Sequence, residues 1–311
     1  GSSGGAGAQL AAGIGPLAVG TDAGGSIRIP SSFCGVFGHK PSGGRVPAWP
    51  PTPYATFASI GPMTRTVTDA ARMLTVMSKP DLRDWTALPY DPVPYHERLE
   101  RPLMGMHIAW SPTLGYARVD DEVLAICESA AQAFTRLGAQ VVTVPDVMDS
   151  PLPLIAKLRD AVSHFAFQSF GEDRLAQMDP RVAGMIRETR AVNSVTDFLA
   201  VETERARFGA HMNLFHRDYP LLLTPAVAVP PFSAELDGPP GFEGQNEWWP
   251  FTVPFNFTRQ PAASVPCGFT SAGLPVGLQI VGPMHSDLLV LQAAPAFEQI
   301  LAWDHRRPKI L

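Results

Sequence analysis

Two serines in glycine-rich settings are the residues of this sequence best suited to covalent chemistry. They are Ser2, in Gly1-Ser2-Ser3-Gly4-Gly5, and Ser26, in Asp22-Ala23-Gly24-Gly25-Ser26-Ile27-Arg28. A serine hydroxyl is a weak nucleophile until a base takes its proton and amide hydrogens receive the charge that its attack creates. The segment ahead of Ser26 suits the second task. With no side-chain bulk at Gly24 and Gly25, successive N–H groups can converge on one point and make an anion-binding nest. Thirteen of the 27 glycines fall within residues 1–46, a density that calls for backbone that bends sharply or approaches a ligand closely.

Rival chemistries fit the residues less well. Gly1-Ser2-Ser3-Gly4-Gly5 satisfies G-x-S-x-G, but a nucleophile elbow needs a strand before it and none precedes Gly1. The eight histidines are scattered, with no spacing that points at Ser26. There is no H-E-x-x-H, Walker A or G-x-G-x-x-G match, so neither a metal nor a nucleotide nor another cofactor is expected. A net charge of −5 offers no basic footprint for nucleic acid. No run of 18 apolar residues and no signal-peptide pattern appears, which argues against a membrane segment. Cys34, Cys127 and Cys267 are odd in number and lack CxxC spacing, the mark of reduced thiols in a cytoplasm.

The elements that must position the serines follow from pattern. Residues 6–18 are small and apolar and predict a closely packed, buried helix ended by Gly13, Gly15 and Pro16, with Ala18-Val19-Gly20-Thr21 as a short strand entering the Ser26 turn. A helical turn is expected from Ser31 after Pro30, and a helix over Thr68–Met77 with a Thr or Asp N-cap. Pro-rich residues 47–53 and 79–102 read as connections. Met106–Trp110, a helix over 120–137, Gly138 as its C-cap and Gln140–Val144 form a β-α-β unit, which implies parallel strands. Residues 151–217 are mostly helical by period, with Phe165, Phe167, Phe170 and Met178 assigned to the core. Leu221–Pro225, 263–267 and 276–281 are strands, 229–250 a long irregular loop carrying Trp248 and Trp249, and 286–302 a last amphipathic helix. With 45% hydrophobic and 17% charged residues, the chain can bury a sizeable core.

Several segments, in register, resemble the amidase signature family of serine hydrolases. They are Gly1-Ser2-Ser3-Gly4-Gly5, Gly20-Thr21-Asp22-Ala23-Gly24-Gly25-Ser26-Ile27-Arg28-Ile29-Pro30, Cys34-Gly35 and Gly38-His39-Lys40-Pro41. Gly61–Ala71, Asn256-Phe257-Thr258, Val265-Pro266-Cys267-Gly268 and Gly273–Gly282 extend the likeness to both ends, while residues 150–215 carry none of it. Taken alone, Gly1-Ser2-Ser3-Gly4 would pass for a tag scar; the matches downstream favour native sequence.

The resemblance implies an α/β fold, a mixed central β-sheet flanked by helices on both faces, formed by residues 1–311 as one amidase-type domain. It implies hydrolysis of a carbon–nitrogen amide bond through a serine acyl-enzyme. Ser26 would be the nucleophile and Ser2 the bridging serine, held after a cis peptide bond. The N–H groups of Ala23, Gly24, Gly25 and Ser26 would form the oxyanion hole, and Asp22, Arg28 and Ser3 would brace it. Family members use a lysine base several dozen residues before the bridging serine, so the chain is expected to be N-terminally truncated and to need the segment that carries that lysine. Lys40 is read as structural rather than as a substitute base. The expected partner is a small-molecule amide, and a homodimer is allowed. Two other outcomes stay open: the glutaminase-type subunit of a tRNA-dependent amidotransferase, and a non-catalytic remnant.

Overall fold

The computed structural model describes residues 2–54, 56–188, 194–236, 238–242, 247–301 and 308. In chain order its elements begin with α1 (Gly4–Ala11), β1 (Leu17–Asp22), α2 (Arg28–Cys34), β2 (Phe37–Lys40), β3 (Ser59–Thr64) and α3 (Val67–Met77). The middle of the chain supplies β4 (His107–Trp110), α4 (Asp121–Ala133), β5 (Gln140–Thr143), α5 (Leu152–Phe167), α6 (Glu172–Leu175), α7 (Pro180–Glu188) and α8 (Val195–Asp218). It ends with β6 (Leu221–Pro225), α9 (Pro254–Phe257), β7 (Ala262–Phe269), β8 (Pro275–Val281) and α10 (Asp287–Leu301).

These strands join one sheet in the order β1-β3-β2-β7-β8-β6-β4-β5. β4 runs parallel to β5 and β6, as the β-α-β pattern requires, and the other pairings are antiparallel. The sheet is therefore mixed and the fold α/β. At its centre, β7 and β8 are buried on both faces, which explains their nearly continuous apolar runs. Alternation sends Ala263, Val265, Leu278 and Ile280 to the side covered by α3, α4 and α10. Ala262, Val281 and Leu222 point to the other side, where they meet Ile29 of α2 and Met212 of α8. Each large apolar side chain so buried contributes about 1.5–3 kcal/mol.

Local signals behave as their chemistry demands, with shifts at the ends. Thr66, just upstream of the expected caps, opens α3 by accepting from the Asp69 N–H at 3.2 Å. Asp120 caps α4 through the Glu122 and Val123 N–H groups, and Gly138 stops the following 3-10 turn at φ 81°. Three expectations are corrected. α1 ends at Ala11, and only Gly7 and Leu10 of it are buried, because its other side faces solvent. α2 starts at Arg28, ahead of Pro30, whose missing N–H costs nothing in a first turn. Phe165 is 63% exposed and lies outside the core, although Phe167, Phe170 and Met178 pack around Leu175 and Ile186. The Gly1–Ser2 peptide bond and parts of the 229–250 loop (237 and 243–246) lie outside the described residues.

Candidate active site

The site is built on a buried carboxylate. Asp22 ends β1 with no solvent exposure and gathers the chain that follows around itself. Its Oδ1 accepts from the Gly25 N–H at 2.7 Å and its Oδ2 from the Ile27 N–H at 3.1 Å, so residues 23–26 are thrown outward as a tight bend. Gly25 sits there at φ 116°, and a β-carbon on it would lie 2.4 Å from Thr252 Oγ1. Only glycine fits that position.

Arg28, equally buried, completes the brace. Its Nε and Nη2 donate to Asp22 at 3.0 and 2.9 Å. Nη1 donates to the Thr252 carbonyl and to Gln279 Oε1, each at 2.7 Å, and Nη2 also to Asn256 Oδ1 at 2.6 Å. All five guanidinium N–H groups are thus used. Asn256 returns its amide hydrogens to the Asp22 carbonyl and carboxylate. Burial pushes the Asp22 pKa up, but the Arg28 charge and hydrogen bonds outweigh it and hold the carboxyl well below the usual range.

Ser26 stands at the outer end of this bend, half-buried, and the Ser2 N–H donates to its Oγ at 3.1 Å. The two serines predicted to work together are therefore adjacent, with the contact made by the Ser2 amide. No hydrogen bond joins the two hydroxyls among the described residues. Ser3 sews the start of α1 to β1: its Oγ accepts from the Thr21 N–H at 3.1 Å and donates to the Thr21 carbonyl at 3.3 Å. Of the four N–H groups expected to face an oxyanion, that of Gly25 is turned into Asp22 instead. This is a correction: a bend that wraps a carboxylate must spend an inward N–H on it. Those of Ala23, Gly24 and Ser26 have no partner among the described residues.

Two cavities meet at the serines. One, of about 760 Å³, has mostly apolar walls from Ile29, Phe57, Ile155, Leu158, Met185, Trp248, Trp249 and Phe257; Arg159 is the one charged side chain among the described residues that line it. α5 contributes Ile155, Leu158, Arg159 and Ser163 from one face, at helical spacing. The other, of about 540 Å³, reaches Ser2 and Ser26 from the side of Thr21, Ser59, Trp49 and Trp85. Tyr54 lines both, and its OH pairs with Ser163 Oγ at 3.1 Å. The loop tryptophans Trp248 and Trp249 thus line the site.

Lys40 lies in neither cavity. It is fully buried and donates from Nζ to the Pro41 carbonyl at 3.0 Å. Burial, with repulsion from Arg28, brings its pKa down to about 7 against the pull of Asp22 and Asp287. Asp287 accepts from Ser42 Oγ at 2.7 Å and from the Ser42 N–H at 2.8 Å, tying the start of α10 to the segment after β2. Among the described residues no group of three His, Cys, Asp or Glu side chains could hold a metal ion, and no helix is long and apolar enough to cross a membrane.

Three residues of the brace carried no role in the sequence reading: Thr252, Asn256 and Gln279. One signal was present for Gln279, a lone amide in the apolar run Val276–Val281, since a buried polar side chain must have a partner.

The Amidase family model matches residues 1–291. The chain is 36% identical to an acylamidase of Rhodococcus erythropolis, across 99% of this chain and 66% of that protein. It is 33% identical to a glutamyl-tRNA(Gln) amidotransferase subunit of Synechococcus sp. (strain CC9902), across 99% of this chain and 68% of that one. The chain therefore spans about two thirds of the length of these relatives. Among solved structures, a bacterial aryl acylamidase of the amidase signature family superposes with a TM-score of 0.87 at 32% identity, over 99% of this chain and 68% of that one.

Proposed function

The chain belongs to the amidase signature family, and we propose on that premise that it cleaves carbon–nitrogen amide bonds through an acyl-enzyme on Ser26. The observation that carries this reading is the Ser26 hydroxyl itself. It meets the Ser2 amide at 3.1 Å where two cavities join, on a bend held by a buried ion pair. Ser26 Oγ attacks the substrate carbonyl carbon and its proton leaves to a base. The oxyanion that forms is received by the N–H groups of Ala23, Gly24 and Ser26, arranged before the substrate arrives. The carbon–nitrogen bond then breaks as the nitrogen takes up a proton by way of Ser2, and water releases the acid. The family resemblance implies a lysine as that base, and the second cavity opens beside Ser2.

The substrate is a small amide bearing a bulky apolar group. The aromatic and aliphatic walls of the larger cavity favour it over glutamine, whose ammonium and carboxylate would need more buried partners than Arg159 supplies. Three free thiols suit a reducing cytoplasm. In the full chain, a fluorophosphonate probe is expected to label Ser26 and to fail on Ser26→Ala, with aryl amide turnover lost in the same variant. Ammonia release from glutamine in preference to aryl amides would move the reading to the glutaminase-type subunit of an amidotransferase. Labelling that survives Ser26→Ala would overturn it.

A further inference from the structure

The bend that carries Ser26 is gripped by the loop that forms the aromatic wall of the larger cavity, and one residue makes the grip. Thr252, fully buried, donates its hydroxyl to the Gly24 carbonyl at 2.8 Å, and the Trp249 carbonyl lies 3.5 Å from the same oxygen. The Gly24 carbonyl and the Gly25 N–H belong to one peptide plane. Its other end is fixed by Asp22 Oδ1 at 2.7 Å, so the plane cannot rotate while both bonds stand. The Gly24 and Ser26 N–H groups lie in the two adjoining planes, hinged on this one at the Gly24 and Gly25 α-carbons, with Gly25 held at φ 116°. The Thr252 carbonyl meanwhile accepts from Arg28 Nη1 at 2.7 Å.

The same loop touches the bend a second time. The six-membered ring of Trp249 lies 3.0 Å from where a β-carbon on Gly24 would stand, and this ring also lines the cavity. Pro250, between Trp249 and Thr252, is anchored by the Tyr116 hydroxyl at 3.1 Å. A group that fills the cavity against Trp249 therefore presses on a segment whose next contact is the oxyanion bend.

We propose that Thr252 is a positioning residue that couples apolar substrate binding against Trp249 to the alignment of the Gly24 and Ser26 amides. The proposal rests on the acyl-enzyme reading of Ser26 and goes beyond it. Binding energy from a remote apolar group is expressed in kcat when it sharpens contacts made only in the transition state. The hydroxyl does this work, so valine, with the same shape and no donor, loses it, and serine keeps it.

The test compares Thr252→Val, Thr252→Ser and Ser26→Ala in the full chain on two anilides, one with an acetyl and one with a bulky aryl acyl group. Thr252→Val should lower kcat about tenfold or more, by analogy with the loss of an oxyanion donor, with KM held within about twofold. The advantage of the bulky acyl group over acetyl should shrink in Thr252→Val, and Thr252→Ser should restore most of both. An aryl boronic acid, which forms a tetrahedral adduct on the serine, should bind Thr252→Val about tenfold more weakly, while a plain aryl carboxamide binds it unchanged. Wild-type kcat and boronate affinity in Thr252→Val, with Ser26→Ala inactive, overturn the coupling and leave the hydrolase reading standing. A loss that follows Tm alone and is not rescued by serine also overturns it. Turnover that persists in Ser26→Ala, or none in the wild type, removes the hydrolase reading and the coupling with it.

Discussion

Replacing Arg28 by methionine should come close to unfolding the protein. The change leaves the Asp22 carboxylate fully buried among the Gly25, Ile27 and Asn256 donors with no paired cation. Removing one member of a buried ion pair costs about 3–5 kcal/mol. The Thr252 carbonyl, Gln279 Oε1 and Asn256 Oδ1 lose donors as well, at roughly 1 kcal/mol for each that cannot turn to another partner. The sum, about 3–8 kcal/mol, is a large part of the ~5–15 kcal/mol that holds a domain folded. Arg28→Lys keeps the charge but presents a point rather than a fork, so it should cost less without being silent. Adding Asp22→Asn to Arg28→Met removes the stranded charge, so the double variant should be more stable than the two single losses predict, by about 2 kcal/mol or more. Urea unfolding at pH 7 reads all five proteins: wild type, Arg28→Met, Arg28→Lys, Asp22→Asn and the double variant. An Arg28→Met variant within about 1 kcal/mol of wild type, or a double variant at the plain sum of the singles, would refute the account of this ion pair.

The remaining predictions concern the same small region. Gly25→Ala places a β-carbon against Thr252 Oγ1 at a φ of 116°, so a loss of about 2–5 kcal/mol in urea unfolding is expected, together with slower probe labelling of Ser26. Asp22 and Asp287 both have carboxyl pKa values lowered by folding, so in acid the unfolded chain takes up protons first. Stability should hold above about pH 4 and fall as pH drops below it, and an Asp22→Asn variant should show a shallower fall in acid melts. Lys40 acts with the same sign in a higher pH window. Its pKa of about 7 lies below that of an unfolded lysine, so the unfolded chain holds the extra proton above neutrality and stability should climb from pH 7 toward 10. Lys40→Met should lack this climb. By pH 9 the wild type gains roughly 2 kcal/mol relative to the variant, measured by urea unfolding at both pH values.

The sequence by itself determined the neighbourhood of Ser26 and the class of fold. Asp22 to Arg28 is contiguous, so its turn is written in local chemistry: a carboxylate followed by backbone with no β-carbon at Gly24 and Gly25 must wrap. Strand and helix periods likewise survived folding, because they record which side of each element meets the core. Only tertiary structure decided what holds the turn. Thr252, Asn256 and Gln279 lie 224 to 251 residues from Arg28 along the chain, and they become its ligands because α2 packs on β7 and β8 and the segment from Thr252 to Asn256 lies against Arg28. No local pattern encodes a hydrogen bond across such a span; it appears when the sheet order is fixed. The same holds for Gly25, whose N–H looked free for a substrate until the buried carboxylate claimed it, and for Phe165, whose helical position gave no hint that its side faces water.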